Sequence, residues 1–74
     1  MNVSEALVIR LRELLDNECM SVARLSQICH VPASTIRDIL NGKTKQTGIE
    51  TINKIANGFD ISIREFFDSD YFDY

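Results

Sequence analysis

The stretch "VPASTIRDILNGKTKQTG", residues 31–48, decides the fold. Pro32 suits the first position of a helix, because its ring fixes φ near the helical value and no partner is needed there for the N–H it lacks. Val31, preceding a proline, is held extended. Ile36, Ile39 and Leu40 then recur at helical spacing and give one narrow apolar face. Asn41-Gly42 ends the helix, since glycine enters the left-handed cap conformation freely. A polar loop carrying Lys43 and Lys45 follows. At about 100° per residue, Ser34, Arg37, Asp38 and Asn41 fall on the side opposite the isoleucines. This is a short helix with one side for a core and the other polar and mixed in sign.

Working outward, Ser21 is placed to cap a preceding helix, in which Val22, Leu25, Ile28 and Cys29 form a short apolar stripe ending at His30. Two short helices joined by so tight a turn have the sequence form of a helix-turn-helix. Upstream, Ser4 can cap a first helix with Glu5 in its first turn, where the helix dipole favours an acid. Leu7, Val8, Leu11, Leu14 and Leu15 make its buried stripe, and the pattern fails at Asp16-Asn17-Glu18. Downstream, Thr47-Gly48-Ile49-Glu50 fits a capping box for a fourth helix with Ile49, Ile52, Ile55 and Ala56 inside, closed by Asn57-Gly58. Ser62-Ile63-Arg64-Glu65 fits a second capping box, with Ile61 and Phe66 spaced for a hydrophobic staple. No alternating run is long enough for a sheet. The expectation is an all-α protein of five helices, one domain over residues 1–74 with its core at about 4–68 and an acidic aromatic tail at 69–74.

Chain length and composition narrow the functions. A chain of 74 residues hides only about 60% of its unfolded surface, so it is marginal alone unless it is stapled or self-associates. The apolar fraction of 45% is too high for a disordered chain. Cys19, Cys29 and the single His30 make neither a disulfide framework nor a four-ligand zinc site, and reduced thiols in a cytoplasmic protein fit better. Cys29 reads as core and Cys19 as a loop residue. No apolar run approaches a membrane span, and the first residues lack a basic leader. With no catalytic constellation and no phosphate-cradling loop, neither an enzyme nor a cofactor or metal is expected.

The net charge of −3 hides an uneven distribution. Between residues 22 and 59, Arg24, Arg37, Lys43, Lys45 and Lys54 face only Asp38 and Glu50. From residue 60 onward, Asp60, Glu65, Asp68, Asp70 and Asp73 face Arg64 alone. The middle is basic and the tail acidic. All six aromatic residues (Phe59, Phe66, Phe67, Tyr71, Phe72 and Tyr74) follow residue 58.

"SVARLSQICHVPASTIRDILNGKTKQTGIETINKIANGFDISIREFF" resembles the DNA-binding domain of the phage-repressor/Cro helix-turn-helix family, over roughly residues 6–67. Its most specific pieces are Ile36 and Ile39 followed by Asn41-Gly42, the Lys43-Thr44-Lys45 loop, the "INKIANGFDIS" segment and the terminal "IREFF". The resemblance implies a five-helix, lambda-repressor-like domain whose third helix lies in the major groove. It assigns base reading or groove contact to Ala33, Ser34, Arg37 and Asp38. It assigns backbone phosphate to Ser21, Val22, Asn41, Lys43, Thr44, Lys45 and Thr47. Three positions depart from the pattern. Val22 stands where the family often has a clamping Gln, Ser26 where a small Ala is usual, and His30 where Gly is usual in the turn.

The chemistry of those side chains agrees with the assignment. Arg37 can bond guanine O6 and N7 as a bidentate pair, Asp38 can accept from a cytosine amino group, Ser34 can serve either base type, and Ala33 can touch a thymine methyl. Two functions stand. One is a sequence-specific transcriptional regulator, a repressor of phage, plasmid or mobile-element type, bound to palindromic double-stranded DNA as a homodimer and controlled by a protein partner or its own concentration. The other is a protein-interaction module, an antitoxin or anti-repressor target, that keeps the fold. The basic middle favours the first and the acidic tail the second. For Phe66, Phe67, Tyr71 and Phe72 two places are open: a dimer interface, or a cover over the core.

Overall fold

The structure, a computed structural model, describes residues 2–43 and 46–73. Its elements are α1 (Val3–Asn17), α2 (Val22–Cys29), α3 (Ala33–Leu40), α4 (Ile49–Gly58), α5 (Ile63–Phe66) and a single 3-10 turn, Asp70–Phe72. No strand occurs among the described residues. The chain is all-α with five helices, as its periodicities require.

One core joins all five helices. α1 contributes Leu7, Leu11, Leu14 and Leu15, α2 Leu25 and Cys29, α3 Ile36 and Ile39, α4 Ile52, Ile55 and Ala56, and α5 Phe66. Leu25 and Ile36 are wholly enclosed, which locks α2 and α3 together. Ser26, half-buried on α2, donates its hydroxyl to the Val31 carbonyl at 2.7 Å and ties α2 to the turn before α3. A serine therefore serves between the two helices by satisfying a turn carbonyl that an alanine would leave without this donor.

Helix ends follow two rules, one visible in the sequence and one not. Ser21 accepts from the Arg24 amide, and Ser62 and Glu65 complete the reciprocal box at the head of α5. The α1 cap is Asn2, not Ser4: Asn2 Oδ1 accepts from the Glu5 amide at 2.9 Å. Asparagine caps as well as serine, and the earlier start brings Ala6 into the buried stripe. The box expected at Thr47 does not form, because Gly48 is the N-cap of α4 and gives it no side-chain bond. Ile49 then stands at the first helical position and is 60% exposed.

Gly42 and His30 have positive φ at the turns the sequence places there, and Cys19 and Asp60 also have positive φ, where the sequence carries no such mark. After α1 and α4 the turn is a Schellman motif: Met20 N–H bonds Leu15 O, and Ile61 N–H bonds Ala56 O. Asp60, not Gly58, takes the left-handed conformation that caps α4. Gly58 is the last residue of the helix, and a Cβ there would meet Cys29 Cβ and Leu25 Cδ1 at 2.9 Å. It is glycine because α2 and α4 approach too closely for a methyl group. Ile28 is likewise not in the core but 38% exposed. On α2 the side facing the core runs from Val22 to Cys29, and Ile28 projects about 100° from Cys29.

The tail folds back on α1. Phe66 is 1% exposed, and Phe67 and Phe72 pack half-buried against the core. Their rings meet edge to face, Phe66 with Phe67 at 5.3 Å and Phe67 with Phe72 at 4.9 Å between centroids.

Candidate nucleic-acid interface

α3 presents the two faces its spacing requires. Ile36 and Ile39 are buried, while Ser34, Arg37, Asp38 and Asn41 are exposed together on the far side. Ala33 lies half-buried at the shoulder between the faces. The outer surface of α3 thus carries two hydrogen-bonding side chains of opposite charge with short residues at its entry, a shape that lets a helix sit deep in a groove.

The end of α3 is held by its own turn. Gly42, at φ +72°, lets the Lys43 N–H return to Asp38 O at 2.9 Å and the Gly42 N–H to Ile39 O at 3.1 Å. This leaves Asn41 and Lys43 exposed at the edge of the polar face, where donors of this kind fix a protein's register on phosphate. The expected phosphate contacts Thr44 and Lys45 lie outside the described residues. Thr47 is half-buried and lines a shallow groove with Val3, Leu7 and Phe67.

At the head of α2, Ser21 is exposed and its oxygen already accepts from the Arg24 amide, which leaves its proton to donate outward. Val22 is half-buried against the core. Lacking a polar side-chain atom, it can offer a phosphate only its backbone N–H, in the first turn of a helix where such groups lack intrahelical partners.

One contributor has no local signal in the sequence. Arg12, on α1, donates from Nη2 to the carbonyl of Leu40, the last residue of α3, at 2.9 Å. The bond spans 28 positions, so only the packing of α1 against α3 brings the pair together.

The four aromatic residues left open between a dimer contact and a core cover have places within the chain. Phe66 is enclosed and presents no surface to a partner. Phe67, Tyr71 and Phe72 keep part of theirs at the exterior, and the Tyr71 hydroxyl donates to Glu13 on α1.

A family model, the Cro/C1-type helix-turn-helix DNA-binding domain, matches residues 10–70. The chain belongs to that family. No curated protein and no solved structure matches it. The match takes in α2, the turn and α3, and continues through α4, α5 and the start of the tail. The fold is lambda-repressor-like, and membership makes the protein a DNA-binding transcription regulator, in a family not generally enzymatic. Among the described residues no helix is long and apolar enough to cross a membrane.

Proposed function

We propose that the protein is a sequence-specific repressor, of the type used by phages, plasmids or mobile elements, that acts in the cytoplasm on a palindromic operator. Ser34, Arg37 and Asp38 read base edges in the major groove, with Ala33 against the groove at the entry. Ser21, the Val22 amide, Asn41, Lys43, Thr44, Lys45 and Thr47 hold phosphates. The observation that carries this reading is the exposed face of α3, directly opposite the buried Ile36 and Ile39 and flanked by Lys43.

The working species is a homodimer. One helix-turn-helix reads only a few base pairs, and a −3 chain has modest electrostatic grip. A two-fold pair doubles both and sets half-sites roughly 34 Å apart. The part-exposed Phe67, which lines a groove with Val3 and Leu7, and the part-exposed Tyr71 and Phe72 offer the apolar surface such a contact uses.

The acidic tail, with Asp68, Asp70 and Asp73, supports a second reading, in which the fold binds a protein (as an antitoxin or anti-repressor target). Binding to random duplex at low salt, followed by selection from a random library, separates them. A repressor enriches one palindromic sequence, whereas an interaction module enriches none.

A further inference from the structure

The last four carbonyls of an α-helix lack intrahelical donors and must find partners elsewhere. In α3 these belong to Arg37, Asp38, Ile39 and Leu40. Asn41 N–H serves Arg37 O at 2.9 Å, Lys43 N–H serves Asp38 O at 2.9 Å, and Gly42 N–H serves Ile39 O at 3.1 Å. The turn after the helix therefore satisfies three. The fourth, Leu40 O, receives its hydrogen bond from Arg12 Nη2 at 2.9 Å.

We infer that Arg12 is a positioning residue for DNA reading, whose guanidinium pins the end of α3 and the turn of residues 41–43 to α1. The inference rests on α3 being the reading helix. Three features set this role. The bond closes the cap at the one carbonyl the turn does not reach. It places a cation at a helix C-terminus, where the helix dipole favours it. It also joins the end of α3 to the longest helix of the domain, so that Arg37, Asp38, Asn41 and Lys43 share a rigid frame.

The contact is exposed, so losing it leaves the core intact and the helix folded. What changes is how long the turn stays in the geometry that meets a duplex. Base reading needs simultaneous alignment of several side chains, whereas attraction to phosphate tolerates motion. Loss of Arg12 therefore falls on the preferred sequence more than on arbitrary DNA.

The test uses the full chain with Arg12→Met and Arg12→Lys. In free protein, amide hydrogen exchange at Gly42 and Lys43 should quicken about threefold or more in Arg12→Met, with the Ile36 and Ile52 amides unchanged. Affinity for the selected site should fall about three- to tenfold, and for random duplex distinctly less, with the salt slope shifted by under about one unit. Arg12→Lys, which keeps a donor and the charge, should lie between. A wild type that exchanges as expected but binds no duplex would overturn the DNA reading and the inference with it. Normal wild-type binding beside unchanged exchange at Gly42 and Lys43 in Arg12→Met would overturn the inference alone. So would equal losses on selected and random DNA with a salt slope lower by about one, the mark of a direct phosphate contact.

Discussion

The Tyr71 hydroxyl donates to Glu13 Oε2 at 2.8 Å across 58 positions of sequence, while Arg10 holds the other oxygen of the same carboxylate at 2.6 Å. Arg10 also donates from Nε to the Phe66 carbonyl at 2.7 Å and from Nη2 to the Glu65 carbonyl at 2.9 Å. One arginine and one glutamate of α1 thus fasten both the end of α5 and the tail.

This clamp predicts a pH window for tail docking. The Tyr71 hydrogen bond first, and then Arg10, hold the Glu13 carboxyl below its ordinary value, while the same bond to Glu13 raises the Tyr71 hydroxyl. A lowered acid stabilises the docked form above its unfolded value and loses that contribution as pH falls through the folded one. A raised phenol contributes below its unfolded value and loses its contribution as pH rises through the folded one. Docking should therefore be strongest between the carboxylate and phenol ranges and weaken at both ends. Ring-proton NMR of Phe72, which packs on Phe67 in the docked tail, checks this across pH, and Tyr71→Phe should flatten the response. An unchanged acid limb in Tyr71→Phe would separate Glu13 from the tail.

Removing residues 69–74 tests what the tail covers. Phe72 packs half-buried on the core, so its loss should cost about 1–2 kcal/mol and lower the melting temperature even at low protein concentration. Sedimentation of the same truncation reads self-association separately. A truncated protein that melts as before yet no longer dimerises would make the tail an interface and not a cover.

Backbone geometry predicts two opposite glycine effects. Gly58→Ala should destabilise by about 1–3 kcal/mol, because Cys29 Cβ is fixed to its helix and cannot yield as the Leu25 methyl can. His30→Gly should stabilise by about 0.5–1 kcal/mol by relieving φ +61°. Asp60→Gly should gain less, as aspartate tolerates that region better. Denaturant melts give the ranking, and a neutral Gly58→Ala would show that α2 and α4 can separate cheaply.

The fold was legible where a residue's own chemistry sets its neighbourhood. Ser21, Ser62 and Gly42 act locally, and the Ile36 and Ile39 spacing fixed which side of α3 faces outward. Positions that depend on tertiary packing were not legible. Gly58 reads as a helix stop but fills a close approach, and Ile28 and Ile49 fit stripes whose outer members the core does not reach. Asn2 and Ser4 are both good caps, and only the register of α1 chooses between them. The carbonyls that Arg10 holds lie 55 and 56 positions away and the one that Arg12 holds lies 28 away, beyond any local pattern. At the interface the polar face was visible in the sequence, but the residue that closes the end of its helix was not.

For the phosphate grip, Lys43→Ala should weaken binding to all duplexes alike and lower the salt slope by about one unit. Titration in increasing salt against a selected and a random duplex reads both quantities. An unchanged slope would place Lys43 away from the backbone.

Base reading by α3 is tested most directly by site selection with wild type and Arg37→Ala in parallel. Wild type should return a palindrome with a fixed G·C pair in each half-site. Arg37→Ala should lose preference at that pair alone, at a cost of about 1–3 kcal/mol there, with random-duplex affinity nearly kept. Identical selected sequences from the two proteins would contradict major-groove reading through this helix.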